Sequence, residues 1–115
     1  MSTFLISKRS NEAYKFVYTS RKGNVIFTSL SFELKFECEN AIETLKRSLG
    51  DLVLVKKKSS SGKYFFEILL NQQLYGTSRK FTTLLLLQKG IDGVMKYLEN
   101  AEVLDFSNQE VFFNQ

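Results

Sequence analysis

The sequence contains no histidine, no proline and no tryptophan, and it has a single cysteine. Without histidine there can be no Ser-His-Asp triad, no Cys-His pair and no imidazole ligand for zinc or haem. One cysteine cannot close an internal disulfide or form a Cys-x-x-Cys knuckle, and a lone thiol fits a reducing compartment. Long hydrophobic runs are also missing. The longest, Leu84-Leu85-Leu86-Leu87, falls far short of the ~20 apolar residues that span a bilayer. Near the start, Phe4-Leu5-Ile6 is too short for the apolar core of a secretory signal. These absences predict a soluble, cytoplasmic, non-enzymatic chain with no cofactor, no metal and no membrane contact.

What is present is globular composition: 115 residues, 43% hydrophobic and 24% charged. That length predicts one domain, residues 1–115. The net charge of +4 is uneven. Residues 1–58 hold 11 Lys/Arg against 6 Asp/Glu, whereas residues 59–115 hold 5 against 6. Such a bias can mark a side that faces a polyanion.

The chain also repeats itself. Ala41-Ile42-Glu43-Thr44-Leu45-Lys46-Arg47 aligns with Gly90-Ile91-Asp92-Gly93-Val94-Met95-Lys96 at an offset of 49. Phe32 faces Phe81 at the same offset, and Tyr14-Lys15-Phe16 meets Tyr64-Phe65-Phe66 at an offset of 50. A one-residue difference confined to a turn keeps every strand side chain on its own face. The predicted repeats are 13–57 and 63–106, with a polar linker 58–62 and a tail 107–115. A unit of this size buries too little surface to stand alone, so the two should share one core.

Within each repeat the hydrophobic period changes from strand to helix. Tyr14, Phe16 and Tyr18 alternate, as do Tyr64, Phe66, Ile68 and Leu70. Arg21-Lys22-Gly23-Asn24 and Asn71-Gln72-Gln73 supply turns, with Gly23 free to take positive φ. Leu34, Cys38, Ala41, Ile42, Leu45 and Leu49 form one helical stripe, and Leu84, Leu87, Ile91, Val94, Met95 and Leu98 form another. Thr82 or Thr83 can cap the second helix. Closing strands are expected at 52–57 and 101–106.

At these residues the chain resembles the YegP-like family of small, mostly bacterial, uncharacterised proteins, often built from a tandem repeat of about fifty residues. The matching positions are Lys35, Asn40, Ile42, Glu43 and Lys46 in the first repeat. In the second they are Gly90, Ile91, Asp92, Val94, Lys96 and Asp105. The family's aromatic position is Phe32 and Phe81 here, its glycine is replaced by Ala41 and its lysine by Leu84. The resemblance implies an α+β fold of two tandem β-β-β-α-β repeats. These form one mainly antiparallel sheet with exchanged closing strands, and two helices pack on one face. The third strand, near 28–32 and 77–81, is implied by the resemblance alone.

Several residues carry candidate chemistry. Cys38 lies on an apolar stripe, where a free cysteine acts as a small hydrophobe. Glu43 and Asp92 could act together as a carboxylate pair, but i,i+4 pairing with Arg47 and Lys96 is the simpler reading. Arg21, Lys22, Lys56, Lys57 and Lys58 could bind nucleic acid, with Tyr14, Tyr18 and Phe27 stacking bases. The competing reading makes those aromatics core. Four consecutive leucines cannot all face one sheet, so Leu85 and Leu86 should be exposed. They would be covered by Phe4-Leu5-Ile6, by Phe106, Val111, Phe112 and Phe113, or by a protein partner or second copy. The leading expectation is a binding or structural module of unknown ligand, acting through the open sheet face or the exposed leucines. The alternative is weak nucleic-acid binding.

Overall fold

The structure, a computed structural model, describes residues 1–108. The described chain is α+β: seven strands in one mixed sheet, with two helices. In chain order these are β1 (Thr3–Lys8), β2 (Tyr14–Thr19), β3 (Val25–Ser29), α1 (Lys35–Arg47), β4 (Val53–Lys58), β5 (Tyr64–Leu70), β6 (Gln73–Ser78), α2 (Leu84–Tyr97) and β7 (Glu102–Asp105). A short 3-10 turn follows each helix, at Leu49–Asp51 and Leu98–Asn100. The strand order is β4-β5-β6-β3-β2-β1-β7. β4 pairs antiparallel with β5, and β7 pairs parallel with β1. The two halves meet at the β3–β6 seam, through Phe27–Ser78, Thr28–Thr77 and Ser29–Gly76.

Period-two alternation sets which face is buried. Phe4, Ile6, Phe16, Tyr18, Phe27, Phe66 and Ile68 point to one side and are fully or almost fully buried. There they join Cys38, Ala41, Ile42 and Leu45 of α1 and Leu87, Ile91 and Val94 of α2 in one cluster. Each buried phenylalanine contributes about 1.5–3 kcal/mol relative to an exposed one. Tyr18 stacks on Phe27 with ring centroids 5.1 Å apart, so both are core and neither can stack a base.

Two buried serines accept backbone amides just past the last registered pairs of β2–β3 and β5–β6, Val17–Thr28 and Glu67–Thr77. The Phe16 amide donates to Ser29 Oγ at 2.9 Å, and that hydroxyl donates to the Leu30 carbonyl at 2.7 Å. In the second half the Phe66 amide donates to Ser78 Oγ at 2.8 Å, and Ser78 Oγ donates to the Arg79 carbonyl at 2.7 Å. Gly76 makes the seam possible. A Cβ there would sit 2.8 Å from the Thr28 carbonyl oxygen, closer than any side chain tolerates.

Several expectations are corrected. The third strands shrink to single bridges, Tyr14–Phe32 and Tyr64–Phe81, because the chain bends after each to enter its helix. Phe4-Leu5-Ile6 does not cover the leucines; it is the middle of β1, with Phe4 and Ile6 inward. Lys58 completes β4 and β5 opens at Tyr64, so the connection is 59–63, one residue later than the expected 58–62 and of the same length. The β5–β6 turn has two residues, Asn71 and Gln72, both at positive φ. The expected cap of α2 holds and falls on Thr83, its Oγ1 accepting from the Leu86 amide at 3.1 Å. Leu34 is exposed because it is the N-cap of α1, where Glu37 accepts its amide at 3.0 Å. Leu84 and Met95 also leave the stripe for solvent.

Candidate functional site

A cleft of about 240 Å3 opens between the β2–β3 turn and the stretch of α2 from Lys89 to Tyr97. Its two walls come from opposite halves of the chain. The turn contributes Arg21 and Lys22, held by the Gly23 amide donating to the Ser20 carbonyl and the Ser20 amide donating to the Asn24 carbonyl. Gly23 closes this turn at φ +87°. The helix contributes Lys89, Gly90, Gly93 and Tyr97. Ile26, Val94 and Tyr18 form an apolar floor.

The mouth of the cleft is tied to the sheet. Ser2, which is buried, donates its hydroxyl to the Tyr97 carbonyl at 3.3 Å. Burial pushes the Tyr18 hydroxyl above the ordinary phenol range, and a hydrogen bond with Ser2 opposes that shift. Two cations approach the Tyr97 ring, Arg21 at 5.6 Å and Lys96 at 5.3 Å from its centroid. Hydrogen bonding to Arg21 and then to Lys96 holds the Tyr97 hydroxyl below its usual range. A second cleft of about 300 Å3 adjoins the first and shares Ser2, Arg21 and Tyr97.

Strand directions gather further cations at this end of the sheet. β2 and β4 both run toward it, and β6 does so too, since Lys58 pairs with Tyr64 and Ser78 pairs with Phe27. The Arg79 amide donates to the carbonyl of Ile26, a floor residue, at 2.8 Å. Arg21, Lys22, Lys58, Lys63, Arg79 and Lys80 therefore project from one end, all exposed. Lys57 projects from the bare face and pairs with Glu67 at 3.0 Å, whereas Lys56 faces the helix side, in register with Phe66. Adding charges by halves of the chain missed Lys63, Arg79 and Lys80, because the fold sorts residues by strand end.

The remaining candidates are dispersed. Cys38 is fully buried, and burial, with smaller contributions from Glu39 and Asp105, pushes its thiol up to about 12. Glu43 and Asp92 are solvated, and neither predicted i,i+4 ion pair is among those of the described residues. Asp92 accepts from Gln88 Nε2 at 2.8 Å, and Lys96 turns to Tyr97 instead. No group of three or more Cys, Asp or Glu among the described residues could hold a metal ion. Leu85 and Leu86 are 67% and 44% exposed in the first turn of α2. Phe106 lies at the β1 edge, its amide donating to Ile6, and Val111, Phe112 and Phe113 lie outside the described residues. No helix among the described residues is long and apolar enough to cross a membrane.

No family model matches the sequence. Individual relatives do. The UPF0339 protein YegP of Escherichia coli K12 is 30% identical over 93 residues, covering 79% of this chain and 84% of YegP. The chain belongs to the YegP-like UPF0339 family. A UPF0339 protein from the 5′ region of the ptx operon of Stutzerimonas stutzeri is 27% identical, covering 92% of this chain and 97% of its own. The solution structure of a UPF0339 protein from Shewanella oneidensis superimposes with a TM-score of 0.83 at 26% identity, covering 92% of each chain. That of E. coli YegP, described as a protein of unknown function, gives 0.82 at 26% identity, over 93% of this chain and 94% of YegP. YegP-like proteins thus share this sheet and helix arrangement, and these relatives carry no enzymatic name.

Proposed function

We propose that the protein is a non-catalytic binding module whose ligand seats in the cleft between the β2–β3 turn and α2. The cleft's composition carries this reading: cations and an apolar floor converge there, while the thiol and the helix carboxylates lie elsewhere. Recognition needs an apolar hollow with a few placed polar groups, and this cleft supplies both.

The scaffold beneath it is a duplicated unit, repeats 13–57 and 63–106, in which each repeat gives its closing strand to the other half. Supporting this are the pairing of β4 with β5 and of β7 with β1, and the matched serine bonds of Ser29 and Ser78. On this reading the cleft exists because the halves interlock, since neither supplies both walls.

A fragment screen read by backbone amide shifts tests the function. Saturable shifts clustered at Gly90, Gly93 and Tyr97 are expected. Hits confined to the bare sheet face would contradict the site, and turnover of a cleft-bound compound would contradict the non-catalytic role. A contact through Leu85 and Leu86 is a separate element: light scattering should show self-association that Leu85→Lys removes.

The cation row favours one second reading, weak binding of single-stranded nucleic acid along Arg21, Lys22, Arg79, Lys80 and Lys58. Phosphate contacts by such a row weaken steeply with salt. Retention of an oligonucleotide at about 50 mM salt, lost as salt rises, supports it. No retention at low salt removes it.

A further inference from the structure

The cleft beside Tyr97 has a counterpart. At the offset of 49, Lys89, Gly90, Gly93 and Ile26 correspond to Asn40, Ala41, Thr44 and Tyr75. Those four line a hollow of the same volume, about 240 Å3, beside α1, with Glu37 on its wall. Two hollows on matching stretches of chain thus differ in chemistry. One has an amide, a carboxylate and two side chains on the helix surface. The other has a lysine, two glycines and the cations of the β2–β3 turn.

The glycines separate packing from purpose. A Cβ at Gly90 would lie 2.8 Å from the Phe81 ring, so packing explains that residue. A Cβ at Gly93 would meet nothing within 4 Å. Glycine inside a helix is about 0.8–1.0 kcal/mol less favourable than alanine. No neighbour requires Gly93, and a side chain there would only fill the cleft.

Charge points the same way. Arg21, Lys22 and Lys89 border the cleft, and none of its described lining residues is acidic. Like charges gathered over an apolar floor with no carboxylate among the lining residues favour an anion with a greasy body.

Resting on the reading that this cleft is the binding site, we propose that its ligand is a small organic anion, a flat ring carrying a carboxylate or phosphate. The ring lies over Ile26 and the open backbone at Gly93, and the acid group meets Arg21 and Lys89. The volume suits one ring, and the adjoining cleft past Tyr97 leaves room for a substituent.

Four probes test this on the full chain by amide-shift titration: phenyl phosphate, benzoate, the neutral benzamide and inorganic phosphate. Phenyl phosphate and benzoate should shift Gly90, Gly93 and Arg21 saturably, with benzamide and inorganic phosphate weaker by at least about tenfold. Lys89→Glu should weaken phenyl phosphate by about tenfold or more, and Gly93→Leu should abolish its binding. Lys89→Glu changes only an exposed side chain and keeps the test informative if Gly93→Leu perturbs folding. Benzamide binding as tightly as benzoate would overturn the anion class while leaving the cleft as the binding site. No shift at Gly93 with any probe, or unchanged phenyl phosphate binding in a folded Gly93→Leu variant, would overturn the proposal itself. The fragment screen then decides the broader reading independently.

Discussion

Lys35 Nζ lies 2.5 Å from Asp105 Oδ2, joining the start of α1 to the end of β7 across the two halves of the chain. Asp105 Oδ1 also accepts from the amide and hydroxyl of Ser107, at 2.9 and 2.6 Å. Burial opposes ionisation of Asp105, but the hydrogen bonds from Lys35 and Ser107 outweigh it and hold the carboxyl below its ordinary 3.8. The hydrogen bond to Asp105 likewise raises Lys35 above its ordinary 10.5. At the position 49 residues before Asp105 stands Lys56, and 49 after Lys35 stands Leu84, so this lock exists at one corner only.

The pair sets a pH dependence. A depressed carboxyl stabilises the fold above its unfolded pKa, and that contribution is lost as pH falls through the lower folded value. A raised lysine stabilises below its unfolded pKa, and that is lost as pH rises through the folded value. Asp105→Asn should therefore be less stable than the parent at pH 7. The gap should narrow as pH drops below about 4 and again above about 10.5. Urea unfolding of both proteins at pH 3, 7 and 11 checks this, and a gap independent of pH would refute it.

Two glycines should respond oppositely to alanine. At Gly76 the new methyl would meet the Thr28 carbonyl, so Gly76→Ala should destabilise by about 1–3 kcal/mol. At Gly93 nothing is in the way, so Gly93→Ala should stabilise by about 0.5–1 kcal/mol. Denaturant midpoints at unchanged slope report both.

Removing the Ser78 hydroxyl leaves the buried Phe66 amide without its acceptor. Ser78→Ala should cost about 1–3 kcal/mol, and Ser29→Ala should cost a similar amount through Phe16. Thermal unfolding of the two variants should show comparable losses.

Cys38 should be inert to thiol reagents in the native protein, since it is fully buried and its thiol is pushed up to about 12. Reaction at pH 8 should appear only as urea unfolds the chain. Rapid labelling of the folded protein would contradict its place in the core.

Much of the fold was legible where one face is buried. Alternation placed Phe16, Tyr18, Phe66 and Ile68 inward, and helical spacing found Cys38, Ala41, Ile42 and Leu45. It misjudged Leu34, because an N-cap residue lies outside the helical stripe. It missed β1, since Phe4-Leu5-Ile6 is a run of three apolar residues with no alternation to show which face is buried. The third strands failed because Phe32 and Phe81 each make one bridge, which no period reveals. The site was half legible: Arg21 and Lys22 were singled out, but Lys89, Gly93 and Tyr97 were not. Two glycines three apart on a helix, at 90 and 93, were the available signal, since a helix interior disfavours both.

The central claim is that the halves complete each other, so that the sheet and the cleft form as one unit. Native-state hydrogen exchange tests it most directly, by comparing Phe16 in β2 and Phe66 in β5 with Val55 in β4. If the halves interlock, all three amides should open with one free energy equal to that of global unfolding. If Phe66 and Val55 open while Phe16 stays protected, with free energies differing by more than about 1.4 kcal/mol, the halves fold separately and the account fails.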